Sequence, residues 1–219
     1  MPVSCDLLAR CLDPAGALHC LAQGGILLFP TETFYALGCL ISSPQALNEI
    51  LRLKGRNHGK PLPLAAASLA QIAGYCDLST FPQELAAFWP GPLTVLLPLK
   101  ATVHLNPCLV NARGEVAVRV SSHPLVASLA QSLGTLLTVS SANVQGNPAA
   151  SSLETLDPAL LARLRALSLP WGFVRHDKEH PPKGGLPSTI VRMEEGRLVI
   201  VRKGALAVDR LEGAHVCSF

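Results

Sequence analysis

Aromatic side chains are scarce in this 219-residue chain, at 5%, and charged ones are few, at 15%. With so few rings, the core must rest on Leu, Val, Ile and Ala, which favours aliphatic strands covered by Ala/Leu-rich helices. Low charge together with 49% hydrophobic residues excludes a disordered chain. No apolar run approaches the roughly 20 residues needed to cross a bilayer. Asp6 interrupts the amino terminus where a secretory signal would be continuously apolar, so no membrane association and a cytoplasmic location are expected. The seven cysteines are scattered, odd in number and nowhere spaced C-x-x-C, which points to neither a disulfide framework nor a zinc site. They read as small core residues in a reducing compartment. A net charge of +3 is too mild for a histone-like partner but leaves room for a local basic cleft.

Familiar catalytic signatures are absent too. There is no G-x-G-x-x-G, G-x-S-x-G or H-E-x-x-H. Gly55-Arg56-Asn57-His58-Gly59-Lys60-Pro61 imitates a phosphate-binding P-loop. It is one residue short between the glycines, lacks the Ser/Thr after Lys and follows a helix instead of preceding one, so that reading fails. No Cys or His stands beside an obvious partner, and a covalent nucleophile is not indicated.

What is present is an alternation of helical and strand signals. Asp13-Pro14, Ser43-Pro44, His123-Pro124 and Asp157-Pro158 each start a helix, and Gly24, Gly55 and Gly134 suit the ends. Shorter helices are predicted over residues 69–74 and 82–88. Apolar runs predict strands at 26–30, 62–66, 93–97, 115–120 and 136–139, with Pro63 demoting the second toward a sheet edge. Residues 171–174 read as a further strand. Residues 188–193 and 198–201 pair as a hairpin across a four-residue loop. The segment from His176 to Pro187, rich in charge, Pro and Gly, reads as a mobile surface loop. Such interleaving defines an α/β domain with a mixed sheet flanked by helices.

Polar groups gather where these strands end, the place where open α/β sheets bind ligands. Thr31, Glu32 and Thr33 follow the strand ending in Pro30, Arg119 closes the next-but-two, and Ser140-Ser141-Ala142-Asn143 follows another. Arg202 and Lys203 end the hairpin, and Lys54, Arg56 and Lys60 form a basic loop. Arginine offers a planar fork and lysine a compact charge to an anion. Singly, each has a structural reading at least as good: a turn capped by threonine, a helix terminus complemented by Lys54, a rim charge, a helix cap. Together they favour a polyanionic ligand such as a nucleotide.

The segments FPTETFYALG, LKGRNHGKPLPL, FWPGPLT, VAVRVSSHPL, SSANVQGNP and PSTIV followed by VIVRKGAL occur in the order shown by the Sua5/YrdC/TsaC family, which this chain resembles from about residue 14 to 206. Its length resembles the short YrdC/TsaC form. The resemblance implies a YrdC-like catalytic domain over 1–206, with a twisted open mixed sheet and a concave basic cleft, and a tail over 207–219 of no assigned role. It implies an L-threonylcarbamoyladenylate synthase, a nucleotidyltransferase joining L-threonine, bicarbonate and ATP, with Mg2+ on the ATP. Partner proteins would then complete the t6A modification at position 37 of tRNA. Carried over by position, Thr31 and Ser188 would hold threonine, Arg119 the threonine carboxylate or the carbamate, and Lys54, Arg56, Ser140, Ser141, Asn143 and Arg202 the ATP. Catalysis would be positional and electrostatic, through Lys54, Arg56 and Arg119, with no protein metal ligand. The family often has Tyr-Gly-Leu-Gly where this chain has Tyr35-Ala36-Leu37-Gly38, so no glycine-only backbone is required at residue 36. Two alternatives to the synthase are a non-catalytic factor binding double-stranded RNA in the same cleft and a paralogue of YciO type. The modest net charge argues against the first, and the intact K-x-R and S-x-N motifs against the second.

Overall fold

Proline and a capping carboxylate set the first helix, α1 (Pro14–Ala22): Asp13 accepts a hydrogen bond from the Gly16 N–H at 2.7 Å. The structure is a computed structural model, and it describes residues 9–55, 61–207, 209 and 211. The chain then enters β1 (Ile26–Pro30), buried on both faces, and turns back through β2 (Tyr35–Gly38). Helix α2 (Pro44–Lys54) ends at Gly55, whose left-handed φ of 60° terminates it as the sequence predicts. There follow β3 (Leu64–Ala66), α3 (Leu69–Ala73), a 3-10 segment over Gln83–Phe88, β4 (Leu93–Pro98), β5 (Glu115–Val120) and α4 (Pro124–Ser132). The remainder comprises β6 (Leu137–Thr138), β7 (Ser140–Ser141), α5 (Pro158–Arg165), β8 (Trp171–Phe173), β9 (Thr189–Glu194) and β10 (Arg197–Arg202).

The strands divide between two mixed sheets, ordered β7-β2-β1-β8 and β10-β9-β4-β5-β3-β6. Antiparallel pairs such as β4–β5 stand beside parallel ones such as β3–β5 and β4–β9. The seam between the sheets lies at residues 38–40 and 137–138. There the Thr138 hydroxyl accepts from the Cys39 N–H at 2.9 Å and Leu40 bridges Leu137. Ile26 and Leu28 of β1 enter one core with Leu47, Ile50 and Leu160, from α2 and α5. Leu27 and Phe29 enter a second, with Leu21 and Leu129 from α1 and α4. Both faces of β1 are thus covered by helices, as a continuous apolar run demands.

Several expectations are corrected. Strand β3 is central, between β5 and β6, because Pro63 precedes it and only offers its carbonyl to the Val139 N–H at 2.8 Å. Strands β2 and β7, too short or too polar to register as apolar runs, were missed. In the hairpin, Glu194 pairs with Arg197, so the loop is the two residues Glu195 and Gly196, with φ of 50° and 75°. The helix over 82–88 is 3-10 over Gln83–Phe88. Of the five cysteines among the described residues, Cys20, Cys39 and Cys76 are buried, Cys108 is half-buried and Cys11 is exposed.

Candidate functional site

Side chains on a strand alternate between faces, so every second residue of adjacent strands builds one surface. Thr94 and Leu96 of β4, Ala117 and Arg119 of β5, and Ile190 and Arg192 of β9 form such a surface. Leu96 stands opposite both Ala117 and Arg192, and Thr94 beside Ile190. It floors a cavity of about 520 Å³. The walls come from the turn after β1 (Thr31, Thr33), from β2, from Ser140 and Ser141 of β7, and from Ser188, Val201 and Arg202. The cavity therefore lies where the two sheets meet.

Thr31, 2% exposed, serves its own turn: its hydroxyl donates to the Phe34 carbonyl at 2.7 Å and accepts from the Thr33 and Phe34 N–H groups at 3.3 Å. Turn cap and cavity wall are one residue. Next to it, Glu32 Oε1 lies 2.7 Å from Arg119 Nε, with both side chains less than a tenth exposed. The N–H is not directed at that oxygen, so this is a close ion pair without an aligned hydrogen bond. Glu32 Oε2 accepts from the Ser121 hydroxyl at 2.6 Å.

Ser188 exchanges a hydroxyl hydrogen bond with Thr94 at 2.8 Å, and Arg202 donates to the Ser188 carbonyl at 2.7 Å through Nη2. Gly204 explains the R-x-G spacing. A Cβ there would stand 2.2 Å from the Pro187 carbonyl oxygen, so only glycine lets the end of β10 lie against residues 187–189.

Lys54 and Asn143 lie behind the site, outside the cavity lining. The Lys54 ammonium, on a residue 4% exposed, donates to the carbonyl of Ser141 and, at 2.9 Å, to that of Asn143. Asn143 Oδ1 accepts from Ser141 Oγ at 2.7 Å and from Lys54 at 3.2 Å. Asp157 holds the far side of the turn, accepting from the Val144 N–H at 3.0 Å and the Asn147 amide at 2.9 Å. Burial alone would raise the Asp157 pKa, but these bonds and that from the Ala159 N–H outweigh it and lower the value.

Residues 176–187 form a surface loop without helix or strand, as expected, held at several points. Gly184 N–H donates to the Thr33 carbonyl at 2.7 Å, and His123 Nε2 lies 3.1 Å from the His180 carbonyl. Tyr35 OH accepts from the His176 N–H at 3.0 Å. Burial pushes the Tyr35 phenol up to about 12, against the lowering effect of that bond. Burial pushes the His123 imidazole down, only partly offset by its His180 contact.

Thr31, Arg119, Ser140, Ser141, Ser188 and Arg202 thus converge on one cavity from five separate segments. Arg56, with Asn57 to Lys60, lies outside the described residues. Sequence reasoning missed Thr94, Asn111 and Arg192 as lining residues. The available signal was a lone polar residue in an otherwise apolar strand, as in Leu93-Thr94-Val95. Arg192 pairs with Glu194 at 2.9 Å. No cluster of three or more His, Cys, Asp or Glu among the described residues could hold a metal ion, and none of the described helices is long and apolar enough to cross a membrane.

The family model for Sua5, YciO and YrdC, described as "Telomere recombination", matches residues 19–204. The chain is 40% identical over 152 residues to a protein of Stenotrophomonas maltophilia (strain K279a) named threonylcarbamoyl-AMP synthase, covering 68% of this chain and 81% of that one. A relative of the same name from Xylella fastidiosa (strain 9a5c) is 36% identical, covering 73% and 87%. Among solved structures, P. abyssi Sua5 complexed with L-threonine superposes with a TM-score of 0.78 at 26% identity over 93% of this chain. This chain spans only 58% of that longer one. E. coli YciO, at 24% identity and a TM-score of 0.71 over 90% of this chain and 91% of its own, shares the fold. The chain belongs to the Sua5/YciO/YrdC family.

Proposed function

We propose that this chain is an L-threonylcarbamoyladenylate synthase, joining L-threonine, bicarbonate and ATP and releasing pyrophosphate. The observation that carries the reading is the convergence of Thr31, Arg119, Ser140, Ser141, Ser188 and Arg202 on one cavity, in a chain whose relatives bear the synthase name. The RNA-binding alternative has no comparable support.

The threonine amine adds to bicarbonate-derived CO2, and an oxygen of the resulting carbamate attacks the α-phosphorus as pyrophosphate leaves. Such a displacement depends on alignment and on neutralised charge, not on a protein nucleophile. Arg119 and Ser188 hold the amino acid on the floor beside Thr31. Ser140 and Ser141 present hydroxyls to the phosphates, while Lys54 puts a positive charge directly beneath their turn. Arg56 is a second phosphate contact and Arg202 reaches the nucleotide from the opposite wall.

Magnesium would enter on the ATP. Both Glu32 oxygens are already engaged, by Arg119 and Ser121. The donor set therefore fits an ion held mostly by phosphate and water. It would neutralise charge on the triphosphate. Partner proteins that carry the threonylcarbamoyl group to tRNA, and a cytoplasmic location, complete the proposal.

The test uses purified protein with labelled threonine, bicarbonate, ATP and Mg2+. Formation of pyrophosphate and threonylcarbamoyl-adenylate is the expected result. No product, combined with tight and salt-sensitive binding of double-stranded RNA, would sink the enzyme reading.

A further inference from the structure

An arginine that receives a substrate carboxylate needs its terminal nitrogens free and its plane fixed. Arg119 meets both conditions through one neighbour. The closest approach of Glu32 is to Nε, at 2.7 Å, on the inner edge of the guanidinium. The second Glu32 oxygen does not complete a two-pronged pair with the arginine; it is taken by the Ser121 hydroxyl at 2.6 Å. Among the described residues no acceptor is hydrogen-bonded to Arg119, whose contact with Glu32 is an ion pair, and it lines the cavity while only 4% exposed. Glu32 is itself fixed by its backbone, sitting between the Thr31 turn and the Thr33 carbonyl that accepts from Gly184.

We infer that Glu32 is a positioning residue: it holds Arg119 by Nε, with Ser121 steering the carboxylate, so that Nη1 and Nη2 present a fork to the carboxylate of L-threonine. This rests on the proposed synthase reading and deepens it. The threonine carboxylate is favoured over the carbamate because it carries its charge on arrival, and a planar fork matches it in two parallel hydrogen bonds. A rigid fork loses little freedom on binding. The opposite role, a carboxylate that competes with substrate for Arg119, would call for Glu32 to occupy the terminal nitrogens.

Calorimetric titration of L-threonine into the protein, without ATP or bicarbonate, separates these roles. Glu32→Gln keeps the volume and an oxygen for Ser121 but loses the charge. Threonine affinity should fall about tenfold or more, and the KM for threonine should rise in step, while the KM for ATP moves less than about threefold. Ser121→Ala, a milder change and a second probe if the first variant folds poorly, should weaken threonine binding about threefold. Unchanged or tighter threonine binding in Glu32→Gln, or in Ser121→Ala where only that variant folds, overturns the inference. A wild-type protein that binds no threonine strikes the synthase reading itself, a result distinct from either.

Discussion

Burying an ammonium is costly unless acceptor oxygens surround it. Lys54 finds them in the carbonyls of Ser141 and Asn143 and the Asn143 side chain. Its contribution is to shape the Ser140–Asn143 turn and to charge it from below. Lys54→Met leaves these buried oxygens without their donor, at about 1–3 kcal/mol. Urea denaturation should show that loss, and pyrophosphate release should fall with it. Arg56→Ala is a contrasting case. It should raise the KM for ATP while leaving the urea midpoint nearly unchanged, and an unfolded variant would make Arg56 structural. At this scale the sequence named the right chemical types but not their geometry. Thr31, Ser140 and Arg119 stand out as polar groups at the ends of apolar runs and Ser188 only through the family resemblance, whereas Glu32 becomes a partner of Arg119 only once β1 and β5 are brought together.

The loop over 176–187 shows how one segment is held by others. Its anchors are the Thr33 carbonyl, Tyr35 and His123. His123 is 5% exposed and faces His180, with Asp177 and Glu32 nearby. Burial favours its neutral form, so the folded chain takes up a proton there less readily than the unfolded chain, whose histidine titrates near pH ~6.5. Stability from this group is complete above that pH, declines as the pH falls below it, and levels off below the folded pKa. Urea midpoints taken between pH 7 and 5 should fall for the wild type and fall less for His123→Gln. The lowered Asp157 pKa acts the same way but in a more acidic window. Its hydrogen bonds stabilise the fold above the unfolded carboxylate pKa of about 4 and are lost as the pH drops through the folded value. Composition suggested a mobile segment here because charge, Pro and Gly describe what the loop cannot pack internally. They are silent on what it packs against.

Across the whole molecule, the two sheets are joined where Gly38 passes Thr138. A Cβ on Gly38 would stand 2.2 Å from the Thr138 carbonyl oxygen and 2.6 Å from the Phe29 ring, with backbone on one side and a fully buried ring on the other. Neither can withdraw easily. Gly38→Ala should cost about 1–3 kcal/mol through overpacking. Thermal melting should register this as a drop of about 2–4 °C per kcal/mol in a chain of this size. Because Ala36 and Val139, close along the chain to this seam, line the cavity, the same variant should also weaken threonine binding, whereas Gly134→Ala, at a helix end far along the chain, should affect stability alone.

The sequence by itself determined most of the elements. Asp-Pro and Ser-Pro pairs start helices, Gly55 stops one, and uninterrupted aliphatic runs become doubly covered strands, all through interactions within a few residues. It also supplied the polar groups at strand ends and the ordered motifs that carry the family resemblance. Tertiary structure decided what depends on partners distant in the chain. It placed β3 in the interior despite Pro63, because the proline lies just ahead of the paired residues. It made a strand of the short β7 by pairing it with β2, itself paired to β1. It also joined Glu32 to Arg119 and Thr94 to Ser188, contacts across 87 and 94 positions that no local pattern encodes. Local physics made the pieces; only the register of the sheets brought a threonine and an arginine to one cavity and paired that arginine with a carboxylate.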